Sequence, residues 1–232
     1  MIFASGQLFA FPHDPVTVEC IVLTLRVVAL ALPLLAVFGV GMGYVLGRHR
    51  GPWISLLDFV LTLPLIFPPI ATGFLLLLLL GRRGPIGSWL KSAWDIELIF
   101  SFGGVVIAAV VAGLPLITKQ VQAAVRKETG SLIEQAQVLG KGPATILFRV
   151  VLPSLRRSVV IGLSLAFARV LGEVGITLML GGNINGRTNT ISLEIYNAVF
   201  TGEYDRALTL VAVLGGVSLV VLLVSRWVAA DV

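Results

Sequence analysis

"EQAQVLGKGPATILFRVVLP", residues 134–153, is a polar, punctuated stretch set between apolar runs, and the fold turns on why it is there. Ser131 stands three residues ahead of Glu134, the spacing of a capping box at a helix start. Leu132, Ala136 and Leu139 recur on one face of that helix, while Glu134, Gln135 and Gln137 lie elsewhere on it. Gly140 is placed to end the helix, as a residue able to take a positive φ. Gly142 and Pro143 then open a second helix, proline being suited to the first helical position. That helix runs through "ATILFRVV" to Pro153. The pattern predicts helix, glycine corner and second helix, an ordered amphipathic elbow. It either lies on lipid headgroups or inserts into a partner protein.

The rest of the chain explains what the elbow interrupts. Hydrophobic residues are 57% of the 232, charged residues only 12%, and mean hydropathy is +1.00. Soluble domains sit near half apolar and a quarter charged, so this chain belongs in a bilayer. Five apolar runs approach or exceed the roughly 20 residues that cross a hydrocarbon core. They lie at about 20–46, 59–80, 100–117, 159–180 and 208–228. All are predicted to be helices, because a lipid-exposed backbone must satisfy its own hydrogen bonds. The fold class is thus all-α, a polytopic membrane helix bundle in a single domain over residues 1–232. Pro33, Pro64, Pro68, Pro69 and Pro115 interrupt the first three runs. Gly39, Gly41, Gly43, Gly103, Gly104 and Gly113 read as sites of close helix approach.

Five spans put the termini on opposite sides. With the N-terminus outside, ten Lys and Arg fall on the inner side and five, Arg82, Arg83, Lys91, Arg187 and Arg206, on the outer. That bias favours N-out, C-in and places the elbow in the cytoplasm. The net charge of +5 accordingly reads as cytoplasmic loop charge, not a nucleic-acid patch. The opening "MIFASGQLFAFPHDP" has no positive n-region and does not read as a cleaved signal peptide. Cys20 lies in an apolar run, where a thiol packs. His13 and His49 are too far apart for metal-ligand spacing.

Arg26 and Arg169 fall inside spans, and the fourth span also holds Glu173. Arg169 lies about 15 Å into the fourth run at 1.5 Å per residue, and Glu173 follows at i+4 on what would be the same helix face. Charge at that depth is costly unless paired or wetted. The two either fix helix rotation as a structural pair or line a translocation path or gate.

The elbow resembles the "EAA" loop of ABC importer permease subunits, whose pattern runs E-A-A-x-x-x-G, nine residues, then I-x-L-P. Glu134, Ala136 and Gly140 match, nine residues follow, and Leu152 and Pro153 close the pattern. Gln135 and Val150 depart from it. The resemblance implies that this loop, about 131–153 and including Lys141, Gly142 and Pro143, docks in a groove of a cytosolic ATPase. "LPLIFPPIATGFLLLLLLGRRGPIG" (63–87) and "FARVLGEVGITLMLGGNINGRT" (167–188) resemble the second span, and the fourth span with its outer loop, of molybdate-type permeases. Tungstate and sulfate permeases are near relatives, and Val174, often phenylalanine in molybdate relatives, leaves tungstate open.

The implied fold is the type I importer permease in its five-span form. The implied function is the pore of an ATP-driven molybdate importer in a bacterial or archaeal inner membrane. Partners would be a second copy, two cytosolic ABC ATPases and an outer oxyanion-binding protein, with no nucleic acid. Pro68, Pro69 and Gly73 join Arg169 and Glu173 as path or gate candidates. Asn183, Arg187 and Thr188, in the Asn-, Gly- and Thr-rich outer loop, are candidates for the binding-protein side. The chain lacks G-x-x-x-x-G-K-[ST], and "LGKGPAT" has the wrong glycine spacing. No catalytic, metal or cofactor site is expected here, with ATP and magnesium on the partner ATPase. A secondary transporter or channel is the rival class. It would show repeat symmetry and coupling-ion carboxylates at mid-membrane.

Overall fold

The computed structural model describes residues 15–230, and every regular element among them is helical. The opening segment, with His13, lies outside the described residues. The elements are α1 (Pro15–Arg48), α2 (Pro52–Ile66), α3 (Pro69–Leu80), α4 (Pro85–Trp94), α5 (Phe102–Ala124), α6 (Gly130–Val138), α7 (Pro143–Ile146), α8 (Leu152–Ser154), α9 (Arg156–Leu171), α10 (Gly175–Gly181), α11 (Ile191–Thr201) and α12 (Tyr204–Ala230). Wider π-helical turns, Val125–Thr129 and Leu147–Val151, join α5 to α6 and α7 to α8. Three helices are long and apolar enough to cross a membrane, Pro15–Arg48, Phe102–Lys127 and Tyr204–Trp227. Bent pairs, Pro69–Leu80 with Pro85–Trp94 and Phe148–Ser154 with Arg156–Leu171, bring the number to five if each pair is one span.

Two of the predicted runs are broken. The stretch 59–80 is cut at Phe67–Pro68: Phe67 N still donates to Leu63 O at 2.9 Å, but Pro68 has no amide to continue the ladder. The stretch 159–180 is cut between Leu171 and Gly175. Glu173 takes over there, its Oε1 accepting Ile176 N at 2.6 Å and so capping α10. The expected shared helix face for Arg169 and Glu173 therefore does not exist, because α9 ends between them.

The chain contacts divide into two compact units. One comprises residues 15–29, Pro69–Ala109 and Leu171–Val220. Its centre is the crossing of α3 and α10. A Cβ on Gly73 would stand 2.8 Å from Met179 Cβ and 2.9 Å from Ile176 Cα, and one on Gly175 would stand 2.7 Å from Pro69 Cβ. Without side chains there, backbones meet directly, as small residues allow in membrane packing. Cys20 is buried with Ile191 and Leu210, so the thiol serves as packing.

The other unit comprises Leu30–Pro68, Val110–Val170 and residues 221–230. Here α1 presents glycine every fourth residue to α5. Gly39 faces Ile117, Gly43 faces Val121 with its Cβ position 2.6 Å from Val121 Cβ, and Gly47 faces Val125 at the same 2.6 Å. The repeat of four matches the helix period, so all three glycines share one stripe. Arg126 Nη2 closes the seam by donating to Leu46 O, 3.2 Å, near the end of α1. Gly113 also sits tightly, against Leu35 and Val170, whereas Gly41 faces open space.

Candidate functional site

The elbow belongs to the second unit. Its first helix does not start at Ser131: the backbone is helical without interruption from Phe102 through the π turn into α6. A capping box needs a free helix start, and there is none, so that expectation is corrected; the Ser131 side chain itself lies outside the described residues. The inward face also differs from the predicted one. Ile133 and Ala136 are buried, while Leu139 is 73% exposed. The continuous helix sets the rotation, and it turns Leu139 outward.

The corner is as predicted. Gly140 has φ 68°, its N–H donates to Gln137 O at 2.9 Å, and Lys141 N donates to Ala136 O at 3.0 Å. This pair of bonds is the Schellman closure, which satisfies the last carbonyls of α6 and favours glycine at the left-handed position. Pro143 begins α7, and its side chain lies outside the described residues. Ile146, Val151 and Leu155 anchor the return limb in the interior. The opposite side is open: Glu134, Lys141 and Gly142 are exposed with Val138 (88%), Phe148 (66%), Leu152 (40%) and Pro153. The elbow is therefore a corner pinned by buried aliphatics and showing an apolar outer edge.

Of the other predicted residues, Pro69 and Gly73 lie at the α3–α10 crossing, with Pro68 in the break that precedes it. Glu173 is buried at 2% exposure, and Arg169 is half-buried in α9. In the outer loop, Asn183 and Thr188 are both engaged in hydrogen bonds within the chain. Thr188 is fully buried, donating through Oγ1 to Gly181 O at 2.7 Å and accepting Ile184 N at 2.8 Å. Asn183, at φ 53°, donates through Nδ2 to Asn197 Oδ1 at 2.7 Å. Arg187 alone of the three is exposed.

Two charge pairs that join one helix to another escaped the sequence reading. Glu194, on α11, is 4% exposed. Its carboxylate meets Arg206 at 2.6 Å and accepts Asn189 Nδ2 at 2.6 Å and Asn197 Nδ2 at 3.2 Å. Lys119 Nζ stands 2.7 Å from Asp58 Oδ1, joining α5 to α2. The available signal was a lone carboxylate in each apolar run, Asp58 in "WISLLDFVLTL" and Glu194 in "ISLEIYNAVF"; such residues seek partners. The residues after the loop form α11, with the Tyr196 ring on its open face tilted 43° to that of Phe200 at a centroid distance of 4.5 Å.

Comparison with known proteins adds three kinds of relation. Residues 39–231 match the family described as the binding-protein-dependent transport system inner membrane component. The chain is 36% identical over 212 residues to the molybdenum transport system permease protein ModB of Escherichia coli K12, covering 91% of this chain and 93% of that one. It is 32% identical over 212 residues to the sulfate transport system permease protein CysW of Synechococcus elongatus, covering 91% and 74%. In structure it superposes on a bacterial ABC transporter that imports the polysaccharide alginate, with a TM-score of 0.74, 17% identity and coverage of 94% and 80%. It also superposes on a bacterial alginate ABC transporter in complex with an alginate pentasaccharide-bound periplasmic protein, with a TM-score of 0.72, 17% identity and coverage of 92% and 78%.

Proposed function

Because the chain belongs to the family of inner membrane components of binding-protein-dependent transport systems, we propose that it forms, as a homodimer, the membrane path of an ATP-driven molybdate importer. It is an ABC importer permease and a multi-pass protein of the bacterial inner membrane. The proposal adds cargo, stoichiometry and coupling. Molybdate is favoured by the likeness to ModB across nearly the whole of both chains. The CysW likeness supports sulfate as the second reading, and tungstate shares the same tetrahedral chemistry.

The observation that carries the coupling is the outer edge of the elbow. Val138, Leu139 and Phe148 are held in the open by a glycine corner. Ordered, exposed apolar side chains beside charged residues are the anatomy of a docking knob. In this reading the elbow seats in a cytosolic ATPase, which holds the ATP and magnesium. Closure of two such ATPases shifts the permease between inward- and outward-facing states. Arg169, Glu173, Pro68, Pro69 and Gly73 belong to the path or its gate. The outer loop that carries Asn183, Arg187 and Thr188 lies on the side of the oxyanion-binding protein.

The test is reconstitution in liposomes with the ATPase and the delivery protein. ATP-dependent accumulation of molybdate is the expected result. Accumulation of sulfate in its place would overturn the cargo, and failure to co-purify with any P-loop ATPase would overturn the coupling.

A further inference from the structure

Five cations fall outside the membrane in the N-out reading, and four of them, Arg82, Arg83, Lys91 and Arg187, line one cavity of about 710 Å³. The fifth, Arg206, is held by Glu194. The cavity lies wholly within the first unit, between the end of α3, the turn into α4, residues 96–101 and the loop bearing Ile184 and Arg187. Glu97 is the one carboxylate in its lining, and it binds Arg82 at 2.7 Å and Lys91. Arg83 and Arg187 have no ion pair among the described residues, so the lining keeps an excess of positive charge.

The cavity is preformed. Phe100, at φ 59°, donates its N–H to Leu180 O at 2.7 Å, and its ring lies where any Cβ on Gly182 would come within 2.5 Å of Cδ1. Ser101 Oγ donates to Leu98 O at 2.7 Å.

Its two kinds of wall define the occupant. Leu77, Leu78 and Leu80 of α3 supply an apolar side, and the cations supply the rim. The helix beside it, α4, is bent 44° from α3. It exposes Trp89 (57%) and Trp94 (66%), whose rings are 5.5 Å apart. Paired tryptophans on a short helix at the end of an apolar one mark the headgroup level of a bilayer. A cationic rim there, continuous with an apolar wall, matches a molecule with phosphate above and acyl chains below. A free oxyanion has no use for the leucines.

We propose that this cavity binds the headgroup phosphate of an anionic membrane lipid. Arg83 and Arg187 contact the phosphate oxygens, a pairing for which guanidinium geometry is suited, and Leu77 and Leu78 flank the chains. The assignment rests on the N-out orientation and not on the cargo.

The experiment is thermal unfolding of the purified full chain in detergent with added phosphatidylglycerol, phosphatidylcholine, sodium molybdate or sodium sulfate. Saturating phosphatidylglycerol is expected to raise the melting temperature by roughly 5 °C. Phosphatidylcholine and the free oxyanions are expected to give less than about half of that rise. The double variant R83Q/R187Q should lose most of the phosphatidylglycerol response, R187Q alone part of it, and R50Q none. An undiminished response in the double variant and in R187Q overturns the assignment. So does a response to free molybdate or sulfate that phosphatidylglycerol does not match. Loss of ATP-dependent uptake with the lipid response intact would strike the transport reading alone.

Discussion

Arg206 and Glu194 face each other at 2.6 Å, and Asn189 occupies the second carboxylate oxygen of Glu194 at the same distance. The pair ties the start of α12 to α11, and Asn189 ties the outer loop to both. A buried carboxylate with one cation and two amide donors is satisfied only while all three remain.

Removing one member is therefore costly. Arg206→Ala leaves the Glu194 carboxylate in a site that is 4% exposed, and the expected loss is about 3 kcal/mol. Thermal melts in detergent check it. Arg206→Met combined with Glu194→Gln should lose less than the sum of the single changes, because no charge is stranded. Full additivity would mean that the two residues do not interact.

Gly140 at φ 68° predicts a backbone effect separable from folding. Gly140→Val should destabilise the corner by about 1–2 kcal/mol. On the coupling reading, it should lower ATP-driven uptake while the protein still reaches the membrane. Uptake at the reference rate would show that the corner geometry does not transmit closure.

The exposed edge of the elbow gives a more direct test of that reading. Leu139→Glu and Phe148→Glu alter surface positions that are 73% and 66% exposed, so stability should change by less than about 0.5 kcal/mol. Co-purification of the ATPase should fall at least about tenfold, as for the loss of a docking anchor. Retention of the ATPase by both variants would remove the docking assignment.

Glu97 sets a pH dependence on the outer side. Hydrogen bonds from Lys91 and then Arg82 hold its carboxyl below the ordinary glutamate value of 4.5. A lowered folded pKa contributes stability above that value and loses it as pH falls through the folded pKa. Glu97→Gln should therefore melt slightly below the reference at pH 7, and the gap should close below pH 4, toward the folded pKa. A gap that stays constant with pH would show that the charge of Glu97 is not responsible.

Much of this architecture was readable from residue order. The apolar runs, the Gly140 corner, the proline at the start of α7 and the close approach at Gly39, Gly43, Gly104 and Gly113 rest on local rules of propensity and spacing, whereas Gly41 and Gly103 have no tight neighbour. What escaped was set by tertiary context. No local signal says that α5 continues into α6, because the π turn from Val125 to Thr129 carries the helix past a sequence that looks like a cap. Nor does a local signal say that α9 stops at Leu171, since Glu173 reads as one more charge on a helix until its carboxylate is seen taking the Ile176 amide. The outer loop read as a surface for a partner protein, and its internal bonds carry no local signal. The partners of Asn183 and Asn189, Asn197 and Glu194, arrive only after the loop has folded onto α11.

The glycine stripe of α1 has a mechanical consequence. Three teeth and the Arg126 latch mesh α1 with α5, and α5 runs unbroken into the elbow. A push at the elbow cannot slide one rod along the other without driving Val121 and Val125 through backbone. The two must travel as a single girder.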